Sequence, residues 1–224
     1  MTKTTKKKTK TSSEQAAVAE TSSDKKKTKQ KAGKTIKPAE TSENQTKKTK
    51  KIVLGFLADT KVITESSDDA REFYNQSRFG AMANSGKVEL SLLEAFYLMD
   101  KGKLDVKSPA GRKITFESYL KKARKIEPNF WIRYCVFKDM RNRGYIIKTA
   151  LKFGADFRVY DRGIKPGEDH ARWIIYPVHE GNTLTWYEFA AKNRVAHSTK
   201  KRLLMGIVDD EGDVTYYEIK WVRP

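Results

Sequence analysis

A change of composition near residue 50 limits what this chain can fold into. Residues 1–50 contain no aromatic residue, and their 15 Lys and 5 acidic residues give a net charge of +10, out of +18 for all 224 residues. Such a segment cannot bury enough apolar surface to offset the entropy lost on ordering. We therefore predict a disordered basic tail at 1–50 and a folded region that begins near Lys51.

The pattern of apolar and turn residues then divides the folded region into two parts. In the first part, Ser91 and Glu94 have the spacing of a capping box, which predicts the start of an apolar helix that Gly102 ends. In the second part, a helix with aromatic residues at helical spacing precedes five strand-like runs, at 145–148, 156–160, 173–178, 202–208 and 214–222. We predict a helix-rich α+β domain at 51–127 and a mixed α/β domain at 128–224.

Charge and cysteine content narrow the function classes. The excess of Lys and Arg favours an anionic partner. The single cysteine, Cys135, excludes an intrachain disulfide and a cysteine-rich zinc site, and its apolar surroundings predict a buried, inert thiol in a reducing cytoplasm. No stretch of the sequence approaches the roughly 18 apolar residues of a membrane span.

The segment from Gly80 to Gly86 has five residues between its glycines and Val88 after Lys87, so we reject a phosphate-binding loop there.

Three side chains of the second part suit metal-free cleavage of RNA. The 2′-hydroxyl of RNA can attack the adjacent phosphorus if a base, an acid and a cation assist it, and none of these roles requires a metal. Tyr160 ends a strand-like run before a Gly-containing loop, which is where scaffolds often hold reactive groups. His170 and Lys201 supply an acid and a cation. Tyr is a poor base unless nearby cations such as Arg158, Arg162 and Lys201 lower its pKa.

The residues alone leave the choice of histidine open. His170 lies in a charged loop, whereas His197, between Ala196 and Ser198, is also compatible with a buried structural imidazole. His179, in a turn beside Glu180, is the weakest candidate.

A metal site is a competing interpretation of the last strand-like run. Glu218 and Lys220, with Asp209, Asp210 and Asp213 upstream, imitate an acidic site that holds magnesium. A simpler interpretation places Tyr217, Ile219 and Trp221 on one face of the strand and the two charged residues on the solvated face.

From about residue 52 to Pro224 the sequence resembles an archaeal-type tRNA-splicing endonuclease. The segments that carry the resemblance are 143–148, 152–160, 194–198 with Lys201, and 207–209 followed by 215–217; the run 90–95 resembles the family's first domain less specifically. The interval of ten residues between Tyr160 and His170 is the family's spacing. Thr199 and Lys200 depart from the apolar residue and Arg that are common before the family's Lys.

The resemblance implies a specific activity and site. Tyr160 would be the general base, His170 the general acid and Lys201 the transition-state cation, with no cofactor and no metal. The enzyme would cut introns of precursor tRNA at bulge–helix–bulge sites, leaving a 2′,3′-cyclic phosphate and a 5′-hydroxyl. Arg194 would clamp a flipped bulge base by cation–π stacking.

The resemblance also implies a homotetramer, in which the acidic turn of Asp209, Asp210 and Asp213 on one dimer docks into the other. The alternatives are a non-catalytic RNA-binding or structural subunit of such an enzyme, and the metal-dependent nuclease that uses Glu218 and Lys220.

Overall fold

The computed structural model describes residues 52–150, 154–222 and 224, so the predicted tail at 1–50 lies outside the described residues. The elements follow one another as β1 (Val53–Ala58), β2 (Lys61–Thr64), α1 (Asp68–Asn75), β3 (Ala81–Met82), β4 (Val88–Ser91), α2 (Leu92–Asp100), β5 (Leu104–Lys107), α3 (Phe116–Ile126), α4 (Phe130–Asn142), β6 (Ile146–Ala150), β7 (Ala155–Tyr160), β8 (Trp173–His179), α5 (Trp186–Ser198), β9 (Arg202–Val208) and β10 (Val214–Ile219). The predicted α+β class is confirmed.

The first sheet has the strand order β3-β4-β2-β1-β5, in which only β1 and β5 are parallel. Helix α2 follows β4 directly, and the predicted capping box starts it. The Ser91 hydroxyl accepts a hydrogen bond from the Glu94 N–H, and the Glu94 carboxylate accepts one from the Ser91 N–H. Because α2 is buried on almost every side, it forms the centre of this part of the molecule.

The second sheet has the strand order β10-β9-β8-β7-β6. All its neighbours are antiparallel except β8 and β9, which are parallel and are connected through α5. This topology brings the end of β7 and the beginnings of β8 and β9 to the same edge of the sheet. The loops at that edge therefore lie side by side.

A buried apolar cluster extends from the first sheet through α2, α3 and α4 to the second sheet. The ring of Phe96 lies 4.1 Å from that of Phe116 and 4.5 Å from that of Tyr134, measured between centroids. The aromatic residues at helical spacing in α4, which are Phe130, Tyr134 and Phe137, are all buried. The predicted domain boundary after residue 127 falls between α3 and α4 and stays a prediction.

A buried ion pair joins helix α2 to the second sheet. The Lys148 ammonium on β6 donates to the Glu94 carboxylate at 3.0 Å and to the Gly80 carbonyl at 2.9 Å, and the Gly80 N–H donates to Glu94 at 2.8 Å. Burial raises the pKa of Glu94, but Lys148 and the N–H groups of Gly80 and Ser91 outweigh it and hold that pKa below its ordinary value. Gly80 has a φ of +63°, and a Cβ there would come within 2.3 Å of the Glu89 carbonyl oxygen, so the junction requires glycine.

Two predictions from composition can be compared with the structure. Cys135 is buried as predicted, and burial raises the pKa of its thiol to about 11. None of the helices in the described ranges combines the length and the apolar character needed to cross a membrane.

Candidate active site

The structure brings Tyr160, His170 and Lys201 together in one cleft at the shared edge of the second sheet. Tyr160 is the last residue of β7, His170 lies in the loop that leads into β8, and Lys201 comes directly before β9. We call this space, of about 370 Å³, the edge cleft. It is lined by these three residues and by Arg158, residues 167–169 and Ala171.

Tyr160 is held rigidly at the end of its strand. Residues alternate along β7, so Phe157 and Val159 pack into the core on one face while Arg158 and Tyr160 lie on the other. Tyr160 is only 4 % exposed. Within the described part of the chain its hydroxyl forms no hydrogen bond, which leaves that oxygen available to a molecule bound in the edge cleft.

The loop that carries His170 is closed at both ends. The Arg172 guanidinium donates to the Asp161 carboxylate at 3.1 Å, and the Arg172 N–H donates to the Val159 carbonyl at 2.9 Å. Within the loop the Glu168 carboxylate accepts from the Lys165 N–H at 3.0 Å. His170 itself is exposed, so its ring faces solvent on a loop whose backbone is restrained.

Lys201 is positioned by the end of α5. The Lys201 N–H donates to the Ala196 carbonyl at 2.9 Å and the Lys200 N–H to the His197 carbonyl at 3.0 Å, which is the Schellman arrangement. Lys200 supplies the left-handed residue of this motif, with a φ of +54°. The Lys201 ammonium donates to the Thr199 carbonyl at 3.0 Å and lines the edge cleft.

Only one of the two arginines predicted to surround Tyr160 does so. The Arg158 guanidinium carbon lies 5.8 Å from the Tyr160 ring centroid. The guanidinium of Arg162 lies instead over the Tyr145 ring, at 4.9 Å. Arg162 follows the end of β7, where the alternation of the strand no longer directs side chains to one face.

Arg194 and His197 lie on the exposed side of α5. At the C-terminal end of α5 the Thr199 hydroxyl donates to the Val195 and Ala196 carbonyls. His197 is exposed and contacts the Trp221 ring edge-on at 4.2 Å, so the interpretation of a buried imidazole is wrong. His179 contacts Asp210 at 3.0 Å, and His179 and His197 both lie outside the edge cleft.

The acidic groups that imitate a metal site are engaged elsewhere. The Glu218 carboxylate accepts from the Trp173 indole at 2.8 Å and from the Arg202 guanidinium at 3.1 Å. These donors, the indole first, lower the pKa of Glu218. The Asp209 carboxylate accepts from the Asp213 N–H at 2.8 Å within the turn. Across 52–150 and 154–222, no three His, Cys, Asp or Glu side chains are grouped so that they could hold a metal ion.

The structure corrects the predicted face pattern of the last strand. β10 ends at Ile219 and not at Val222, and Tyr217 and Trp221 are 59 % and 47 % exposed, so their side of the strand is solvated as well. Sequence reasoning also missed the cleft-lining role of Ala171, which is buried. The signal in the sequence that could have indicated this role is that Ala171 directly follows His170.

Comparisons with known proteins indicate the same family over both sheets. Residues 53–120 match the family model described as "tRNA intron endonuclease, N-terminal domain", and residues 130–216 match "tRNA intron endonuclease, catalytic C-terminal domain". A tRNA-splicing endonuclease of Nanoarchaeum equitans is 48 % identical over 152 residues, which are 65 % of this chain and 97 % of the relative. Those of Thermococcus onnurineus and Methanothermobacter thermautotrophicus are 41 % and 38 % identical, covering 75 % and 77 % of this chain and 95 % and 99 % of the relatives.

The part of the chain that holds the edge cleft matches the catalytic domain of an endonuclease family. This match defines the class of the protein, which is an endonuclease. More particularly, the chain belongs to the tRNA intron endonuclease family.

Proposed function

We propose that this protein cuts introns out of precursor tRNA at bulge–helix–bulge sites, without a metal ion. The observation that carries the proposal is the convergence of Tyr160, His170 and Lys201 in the edge cleft. The family supports the substrate, and several relatives are tRNA-splicing endonucleases.

The proposed reaction is an internal transesterification. Tyr160 takes the proton of the 2′-hydroxyl, and the 2′-oxygen attacks phosphorus. The bond from phosphorus to the 5′-oxygen then breaks while His170 gives that oxygen a proton. The Lys201 ammonium stabilises the additional negative charge of the phosphorane-like transition state. The products are a 2′,3′-cyclic phosphate and a 5′-hydroxyl.

The geometry favours this reaction over the two alternatives. A metal-dependent reaction at Glu218 would first have to displace the Trp173 and Arg202 donors from its carboxylate. A non-catalytic subunit has no need of a base, an acid and a cation in one cleft, and all three are present here. Arg194 supports the proposal as the base clamp, since its side chain is exposed on the helix that leads to Lys201.

A homotetramer is the proposed assembly. The turn that would dock is well formed, because the Asp209 carboxylate and carbonyl accept hydrogen bonds from the Asp213 and Gly212 N–H groups. Asp210 and Asp213 are exposed, so a sister chain can reach both carboxylates, and Asp210 contacts His179 within its own chain. In this proposal Asp209 shapes the turn, and the other two acids make the contact.

The proposed function is tested by incubating the full chain with a bulge–helix–bulge RNA in EDTA and identifying the new ends. We expect cleavage to persist and to leave a cyclic phosphate and a 5′-hydroxyl. Cleavage that stops on chelation and returns with magnesium would contradict the proposal, as would a 3′-hydroxyl product. A linear RNA of the same composition is the control for site recognition.

A further inference from the structure

A second and larger cleft lies beside the edge cleft, between the first and second sheets. This intersheet cleft has a volume of about 620 Å³. It is lined from the first sheet by Lys61 and Met82, among others, from α2 by Glu94, and from the second sheet by Lys148 and Arg158. Pro166, in the loop that carries His170, lines it as well. Because Arg158 lines both clefts, the two spaces meet at its side chain.

The charges of the intersheet cleft leave one cation in need of a partner. The Lys61 ammonium is paired with Glu89 at 2.8 Å, and the Lys148 ammonium with Glu94 at 3.0 Å. The Arg158 side chain, in contrast, makes neither a hydrogen bond nor an ion pair with any residue in the described ranges, and its Nε is buried without an acceptor. A buried guanidinium N–H without an acceptor is costly, so this group is suited to an anion that arrives with a ligand.

We propose that the intersheet cleft is an RNA subsite for the nucleotide next to the cleaved bond, and that Arg158 binds the phosphate of that nucleotide. This inference rests on the proposed function. Residues 158 and 160 project from the same face of β7, roughly 7 Å apart along the strand, which is about the spacing of neighbouring phosphates in RNA. The planar guanidinium fork matches two phosphate oxygens, which a Lys ammonium cannot match in the same way.

The remaining surface of the cleft fits the rest of a nucleotide. A volume of about 620 Å³ lies within the usual range for small-ligand sites. Tyr74 and Met82 contribute apolar surface on the side of the first sheet, where a base can lie. The inference therefore assigns the first sheet a direct part in holding the substrate.

Binding of a non-cleavable RNA tests the subsite directly. The RNA carries a 2′-deoxy sugar at the cut nucleotide, and one phosphate at a time is replaced by a neutral methylphosphonate. We expect one replacement next to the cleavage site to weaken binding to the parent protein by roughly 10- to 100-fold, the range for hydrogen bonds to a charged group. The same replacement should hardly weaken RNA binding to Arg158→Gln, because this variant has already lost the interaction with the phosphate.

The matched control is Arg162→Gln, since Arg162 lines neither cleft. The neutral linkage should weaken RNA binding to Arg162→Gln as much as it weakens binding to the parent. Arg158→Lys, which keeps the charge and is the variant to use if Arg158→Gln does not fold, should keep part of that sensitivity. The proposal is wrong if every single phosphate replacement weakens RNA binding to Arg158→Gln as much as it weakens binding to the parent. The same result with Arg158→Lys would also contradict it.

A second pair of variants tests the cleft without changing Arg158. Met82 is 36 % exposed at the mouth of the cleft, so both Met82→Glu and its uncharged match Met82→Gln should fold. We expect Met82→Glu to bind the RNA several-fold more weakly and Met82→Gln to bind like the parent; equal binding by the two variants would overturn the subsite. Cleavage of unmodified RNA by the parent, measured in parallel, separates failure of the subsite from failure of the proposed function.

Discussion

Lys200 shows how a single strained residue serves the site. A non-glycine residue in the left-handed region costs roughly 1–2 kcal/mol, and Lys200 adopts it with a φ of +54°. The conformation allows the Lys200 and Lys201 N–H groups to bind the last carbonyls of α5. The strain is therefore stored where it fixes the direction of the Lys201 side chain.

Arg194 gives a prediction at the same scale. Arg194→Lys keeps the charge but loses the planar guanidinium that stacks on a base. Since stacking of a base on a side chain contributes about 1–3 kcal/mol, we expect cleavage of bulge–helix–bulge RNA to fall roughly 5- to 150-fold. Single-turnover kinetics at saturating and limiting RNA would measure the loss.

The control for this variant is Arg112→Lys, because Arg112 is exposed in the loop between β5 and α3. It should cleave like the parent. A rate for Arg194→Lys that equals the rate of this control would remove Arg194 from the RNA contacts.

At the scale of elements, local signals predicted more than distant ones. The predicted capping box at Ser91 is confirmed, and the structure has a second one at Thr185; such boxes can be predicted because their hydrogen bonds lie within four residues of sequence. The hairpin of β3 and β4 was missed, since a strand of two residues after a glycine has too little alternation to recognise. The pairing of Glu94 with Lys148 was missed as well, because partners 54 residues apart are set by the fold and by no pattern along the chain.

The Glu94–Lys148 pair gives a prediction for stability. Glu94→Gln leaves the Lys148 charge buried without its counterion, so the free energy of unfolding at neutral pH should fall by about 3–5 kcal/mol. Denaturant unfolding followed by circular dichroism measures this. Lys148→Met added to Glu94→Gln should restore part of the loss, because the buried unpaired charge is then removed. A double variant no more stable than Glu94→Gln would contradict the account.

The pH dependence of the same pair has a definite sign. The folded-state pKa of Glu94 lies below its ordinary value of 4.5, so the ionised carboxylate stabilises the protein above that value. This contribution is lost as the pH falls through the folded-state pKa. We therefore expect the difference in free energy of unfolding between the parent and Glu94→Gln to shrink on acidification below about pH 4.5. A constant difference would show that the pair does not titrate with unfolding.

At the scale of the whole molecule, the order of strands assembles the site. Tyr160, His170 and Lys201 are distant along the chain, and the parallel pairing of β8 with β9 beside the antiparallel pairing of β7 with β8 brings them to one edge. Spacing in the sequence cannot give a strand order, so the residues alone left three histidines open. The family resemblance selected His170, which is the one histidine in the described ranges that lines the edge cleft.

Assembly gives the prediction at this scale. Because Asp209 holds the turn together, Asp210→Lys with Asp213→Lys should leave the fold intact and disrupt the proposed docking. Light scattering should then report dimers instead of tetramers, and cleavage of bulge–helix–bulge RNA should be lost. The matched control, Glu72→Lys with Glu117→Lys, changes the net charge equally on exposed helix positions. An equal mass for the folded turn variant and this control would contradict the assembly.

The central claim is that His170 gives a proton to the leaving 5′-oxygen, and a substrate with sulfur in place of that oxygen tests it most directly. A thiolate leaves without a proton, because its pKa is far below that of an alcohol. On ordinary RNA, His170→Ala should slow the chemical step by roughly 10²–10⁴-fold, whereas His197→Ala should cleave like the parent. On the sulfur substrate, His170→Ala should recover a rate close to that of the parent, while Tyr160→Phe and Lys201→Ala stay slow. A His170→Ala defect of equal size on both substrates would contradict the account.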